Sequence, residues 1–158
     1  MAFVFGATRK ELLHTFPEIN DDNWKNCSYY LCMLMCLAQI CDYIHKQMLW
    51  ERVSVIHDQG PFNAVAQLAL NSARRSVKHS QHLVTVAPMQ WQDRVALQPA
   101  DFIAYEGYKL VEAHKDGREF RRSLQRMMGK QVPIEAGYTK PEFLAFFNKV
   151  GAFKLPKD

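Results

Sequence analysis

The sequence predicts an α/β fold built on a parallel β-α-β unit. Three observations carry this. "VSVIHD" and "HLVTVAP" are short runs rich in β-branched residues, the composition that suits strands. Between them, Phe62, Val65, Ala66, Leu68, Ala69 and Ala73 recur at helical spacing. A helix of this length between two strands is a crossover. The strands at 52–57 and 82–87 should therefore be parallel neighbours with a right-handed connection.

The remaining segments read mainly as helices. "TRKELLHTF" has Thr8 as N-cap and Glu11 three residues on, a capping box, and Pro17 ends it. Residues of about 22–49 form one long helix. Its apolar face, with Leu31, Leu34, Met35, Ala38, Cys41 and Ile44, is wider than one stripe, so the helix should be largely buried. Gly60-Pro61 turns the chain into helix 62–79, which ends in Arg74, Arg75 and Lys78. Helix 98–115 carries Pro99 near its start, packs through Ile103, Ala104, Gly107, Leu110 and Val111, and is broken by Gly117. A polar helix at 118–129 and an amphipathic one within 137–153, with Pro141 in its first turn, complete the set. In strand 52–57, Val53, Val55 and Ile56 do not alternate cleanly with polar residues, which suits a strand covered on both faces. Two strands alone make a poor core. Either "MAFVF" flanks the first strand, or strands that normally precede residue 1 are absent.

Composition narrows the function classes. A length of 158 residues suits a single domain, and 48% hydrophobic with 23% charged residues argues against predominant disorder. The net charge of +4 is too mild to imply nucleic acid by itself. The N-terminus lacks the basic segment and the apolar length of a secretory signal. The most apolar run, "YYLCMLMCLAQI", falls short of the roughly 18 residues a bilayer requires. The expectation is a soluble, cytoplasmic protein with no membrane partner. Cys27, Cys32, Cys36 and Cys41 follow near-helical spacing and not the paired clips of a zinc ribbon, so they read as reduced core cysteines.

Two aspartates stand out. Asp58 closes the first strand, and ligands of open α/β sheets bind outside the carboxyl ends of strands. An Asx-turn into "QGP", or a cap for the next helix, explains it equally well. Asp101 falls two residues after Pro99, in the first turn of its helix, where a carboxylate complements the helix dipole. Its neighbours Leu97, Ala100, Phe102, Ile103 and Ala104 should bury it, and a buried carboxylate needs a partner such as a cation. Gln98 would orient a ligand or cap the helix. An aspartate at a strand end and another at a helix start suit Mg²⁺ or Mn²⁺, which keeps several waters. Two such ions can clamp both oxygens of an in-line phosphodiester displacement. The other acids fit less well: Glu106 lies about 140° round the helix from Asp101, and Asp93 is in a loop. His57 should point to the opposite side of the sheet from Asp58. Arg118, Arg121, Arg122 and Arg126 should line one face of helix 118–129, as a stripe for a phosphate backbone or as a solvated face.

"VSVIHDQG", a helix, and then "LVTVAPMQWQDRVALQPADFIAYEGYKL" resemble the bacterial family known as domain of unknown function 3800. The matching residues are Asp58, Gly60, Leu97, Gln98, Ala100, Asp101, Ala104 and Tyr105, and the likeness covers residues 51–112. It implies an incomplete ribonuclease H-like fold in which Asp58 and Asp101 are half of a metal site. The family's opening Asp-Glu-Ser-Gly strand has no counterpart here. The resemblance thus implies a truncated chain, the C-terminal portion of a longer domain or a divergent member, with its first metal ligand missing. The leading expectation is a divalent-metal-dependent nuclease-like or phosphoryl-transfer domain, inactive if that ligand is essential, with nucleic acid as partner. The alternative is a non-catalytic interaction module, such as a homodimer joined through strand 52–57 or the cysteine-rich helix, because an incomplete sheet leaves an open edge. Ser54 and Ser72 lack the setting of a nucleophilic serine.

Overall fold

The computed structural model describes residues 2–5, 9–16, 22–48, 50–90, 92, 97–119, 121–129 and 134–137. In chain order these form β1 (Ala2–Phe5), α1 (Arg9–Thr15), α2 (Trp24–Lys46), β2 (Val53–Asp58), α3 (Asn63–Ser76), a single 3-10 turn (Ser80–His82), β3 (Leu83–Met89), α4 (Leu97–Lys115), α5 (Arg122–Gly129) and β4 (Ile134–Gly137). The fold is mixed α/β. The expected helix within 137–153 and the Thr8 cap lie outside the described residues.

The β-α-β unit forms as the sequence demands. β2 and β3 pair in parallel, with Val55 opposite Val86 and Asp58 opposite Met89. The register slips between Val53 and Ser54, so that Val84 is skipped. Its carbonyl is not wasted, because the Arg74 guanidinium donates to it. One cation of the basic end of α3 is thereby a structural clamp.

β1 neither flanks β2 nor stands alone. It pairs in parallel with β4, giving a second two-stranded sheet separate from the first. β1 also contacts α2 and α4.

The core lies on one face of the β2–β3 sheet. Leu31, Leu34 and Leu37 of α2 meet Ala66, Ala69, Leu70 and Ala73 of α3, and Leu83 and Val86 close the cluster from β3. The alanines let the two helices approach closely. α2 is long and apolar enough to cross a membrane, by length and composition alone. The dozen residues at its centre had suggested otherwise. In this fold its apolar side is spent on α3, as the wide stripe requires. All four cysteines are free thiols on α2. Burial pushes the Cys32 and Cys41 thiols up to about 11. For Cys36, burial, reinforced by Cys32, pushes the thiol up to about 12. These are packing groups and not nucleophiles.

One expectation fails. Strand β2 is not covered on both faces: exposure alternates along it, and Ile56 is 41% exposed. Val53, Val55 and His57 face α2 and α3, while Ser54, Ile56 and Asp58 lie on the opposite face of the strand. β-branched residues fit a half-covered strand as well as a covered one, so their run did not distinguish the two.

A histidine corner ties the end of α2 to the crossover. The His45 and His79 rings stack with centroids 3.4 Å apart, and His79 holds a left-handed backbone at φ 64°. The buried His82 donates from Nδ1 to the Glu51 carbonyl at 3.0 Å. His79 is held below the ordinary 6.5, first by desolvation and then by His45, Lys78 and His82, with Asp42 opposing. The unfolded imidazole thus takes its proton first as pH falls. Stability should be fully present above pH 6.5 and decline below it. Melting curves between pH 7.5 and 5 should show a falling midpoint, and His79→Gln should flatten that fall. An unchanged slope in the variant would remove His79 as the cause.

Candidate functional site

The carboxyl end of β2 and the first turns of α4 enclose a cavity of about 630 Å³. Ile56, His57 and Asp58 line it from the strand, and Leu97, Gln98, Ala100, Asp101 and Ala104 from the helix. The two aspartates, 43 residues apart in sequence, therefore share one concave surface, with Gln98 beside them. Asp58 also borders a second, amide-lined cavity of about 550 Å³, formed by Gln59, Gly60, Asn63, Gln90 and Gln92. Sequence reading missed these amides. The signal was available, since Gln90 and Gln92 directly follow the carboxyl end of β3.

Capping does not account for Asp58. It is exposed, and among the described residues its carboxylate makes no hydrogen bond or ion pair. The turn into α3 is closed by Asn63, whose Oδ1 accepts the Gly60 N–H at 3.0 Å. Phe62 occupies the N-cap position of α3 with no side-chain bond.

Asp101 differs from expectation in two respects. α4 begins at Leu97, so Asp101 is its fifth residue and no acid lies in the first turn. The dipole reason therefore weakens, because the effect fades beyond the first turn. Nor is Asp101 buried: it is exposed together with Ala100, Phe102 and Ala104. Apolar neighbours bury a carboxylate only when another layer covers them, and this end of α4 faces an open cavity.

His57 points away from Asp58, as strand alternation requires. Its Nδ1 lies 3.0 Å from the Asp58 carbonyl, which can only accept, so Nδ1 carries the proton. The Tyr29 hydroxyl sits 3.3 Å from the same nitrogen. His57 Nε2 is buried without a hydrogen-bond partner among the described residues. Tyr29 stacks on Phe62 at 4.7 Å. Its hydroxyl is raised above the usual phenol value by burial first, with Cys36 and Asp58 adding to it.

The expected arginine stripe is divided. α4 ends at Lys115, where Gly117 takes φ 64° and the Arg118 N–H bonds the Ala113 carbonyl. The next helix begins only at Arg122. Arg118 pairs with Asp116 at 2.6 Å. Arg121 pairs at 3.2 Å with Glu106, a carboxylate only 1% exposed. Arg122 and Arg126 alone share a face of α5. Glu106 is thus committed to an ion pair, in keeping with its angular distance from Asp101.

Asp58 and Asp101 are thus acids of one cavity, and a Mg²⁺ ion held by two carboxylates keeps most of its waters. Among the described residues no group of three or more His, Cys, Asp or Glu could hold a metal. Asp93 lies outside the described residues. Compared with protein-family models, curated proteins and solved structures, the chain matches none.

Proposed function

We propose that the β2–α4 cavity is a divalent-metal-dependent phosphoryl-transfer centre of nuclease-like type, on a ribonuclease H-like core. One observation carries the reading: Asp58 and Asp101 line the same cavity at the carboxyl end of a strand in a parallel β-α-β unit. The motif resemblance noted in residues 51–112 points the same way, although no protein-family model matches the chain. Asp58 and Asp101 would hold Mg²⁺ or Mn²⁺, with Gln98 orienting its water shell. Such an ion supplies Lewis-acid stabilisation of a phosphate oxygen. The chain itself contributes the two carboxylates, an open approach and the polar amides beyond Asp58. With two acids among the described residues in place of the usual three or four, catalysis should be slow or absent while metal binding persists. The test is a melting curve with millimolar Mg²⁺ or Mn²⁺. Metal that binds only the folded site must raise the midpoint, and a midpoint unmoved by either ion would end this reading.

A second reading has its own observation. Among the described residues, β2 and β3 each pair on one side only, and exposed strand edges invite pairing with another chain. A homodimer through this sheet, with no catalysis, would show a midpoint that rises with protein concentration and ignores metal.

A further inference from the structure

Beyond the cavity, α4 carries an exposed aromatic face. Phe102, Tyr105 and Tyr108 are 48%, 49% and 56% exposed. Isolated exposed apolar residues are ordinary, but these three follow each other along one helix. At about 100° per residue, Asp101, Tyr105 and Tyr108 fall within roughly 60° of one another. The tyrosines therefore continue the line of helix surface that brings Asp101 to the cavity, over roughly 10 Å.

Cations lie near the two tyrosine rings. Lys109 Nζ is 5.2 Å from the Tyr108 ring centre and 5.8 Å from that of Tyr105. The Arg121 guanidinium is 5.3 Å from the Tyr105 ring centre, which sets the start of α5 against the same face. Lys109 and Arg121 are already paired, with Glu112 and Glu106. Arg122 and Arg126 make no ion pair among the described residues. Lysine is depleted at protein–protein interfaces, so two tyrosine rings shared with Lys109 and bordered by the basic start of α5 fit a polyanion better than a protein partner.

We propose that this face of α4 is a stacking platform for single-stranded nucleic acid, leading the strand toward Asp58 and Asp101. The inference rests on the phosphoryl-transfer reading, since it supplies that site's substrate class. A base unstacked from its neighbours lies flat on Tyr105 or Tyr108, and its phosphates meet the basic start of α5. A duplex keeps its bases stacked and offers no such face.

The test is fluorescence anisotropy of a short labelled oligothymidylate with the full chain, at low salt and in EDTA. Without metal, the result depends on the platform and not on the ion. Saturable binding is expected. Tyr105→Ala and Tyr108→Ala should each weaken it about five- to thirty-fold, and Tyr108→Ala, which leaves the Arg121 contact on Tyr105 in place, should keep the parent's melting temperature. Tyr105→Phe, which keeps the ring, should bind as the parent does. A duplex of equal length should compete at least tenfold less well. Equal competition by duplex, or tyrosine variants that bind unchanged, would overturn the platform. A parent chain that is stabilised by Mg²⁺ yet binds no oligonucleotide would overturn the platform and leave the metal reading standing. Oligonucleotide binding with no metal effect would do the reverse. A dimer lost on Tyr105→Ala, without oligonucleotide binding, would assign the face to self-association and end the proposal.

Discussion

Arg121→Ala should lower the unfolding free energy by about 2–3 kcal/mol. Glu106 is 1% exposed, Arg121 is its ion-pair partner, and its second carboxylate oxygen has no hydrogen-bond partner among the described residues. Removing one member of a buried pair typically costs about 3–5 kcal/mol, because the other charge stays behind without compensation. The Arg121 side chain is half exposed, so water relieves part of that penalty, and the lower figure applies. The companion variant isolates the cause. Glu106→Leu with Arg121→Ala removes both charges from the α4–α5 contact and should recover most of the loss, since apolar replacement of a buried pair is often neutral or better. Urea denaturation of the two variants checks this. If the double variant is as unstable as Arg121→Ala, the cost lies in lost arginine packing on Tyr105 and not in a stranded carboxylate. The outcome also guards the binding experiments, because a destabilised Arg121 variant would lose oligonucleotide for reasons unrelated to phosphate.

The second large effect concerns the aspartates. With metal at about ten times its dissociation constant, the folded state gains about 1.4 kcal/mol. For a chain of this size that is a midpoint rise of about 3–5 °C. Asp58→Asn keeps the shape and removes a charge, so it should abolish the rise. The metal-free midpoint should stay level or climb slightly, because one of two neighbouring negative charges is gone. Asp101→Asn should behave in the same way. The cap explanation makes the opposite forecast for Asp58: Asn caps about as well as Asp, so the substitution would be neutral and metal irrelevant throughout. A metal-dependent rise that survives both substitutions would place the ion elsewhere.

How far the sequence foretold these features depends on the range of the interaction behind each. The crossover unit was legible because a helix of that length between two β-branched runs leaves few alternatives. The end of α4 was legible because only glycine takes the φ of Gly117 without strain. Asp58 could be placed at a strand mouth, and its shared cavity with Asp101 follows once β2 and α4 are adjacent. What was hidden depends on layers or on distant partners. Ile56 reads as buried but is 41% exposed, because its sequence neighbours do not report what lies over its face. Asp101 has the neighbours of a buried residue and the surroundings of an exposed one. Arg118 and Arg121 look like members of a helical stripe until their acids, Asp116 and Glu106, claim them. Ile134–Gly137 is four residues long, too short to show a period, and its strand character comes from pairing with β1.

That pairing has a kinetic side. Ala2 and Ile134 are opposite each other in the ladder, roughly 130 residues apart. The β2–α3–β3 unit closes over a few tens of residues and can form while the chain is still being made. β1 cannot: its partner strand leaves the ribosome on the order of ten seconds later at about 5–20 residues per second. During that interval residues 2–5 carry unmatched backbone donors and acceptors beside α2. Contacts of such long sequence separation form slowly in refolding as well. Of the two described ladders, β1–β4 is thus the later to close, and the interval before it closes is when a nascent chain of this sequence is most open to chaperones or to pairing with the wrong strand.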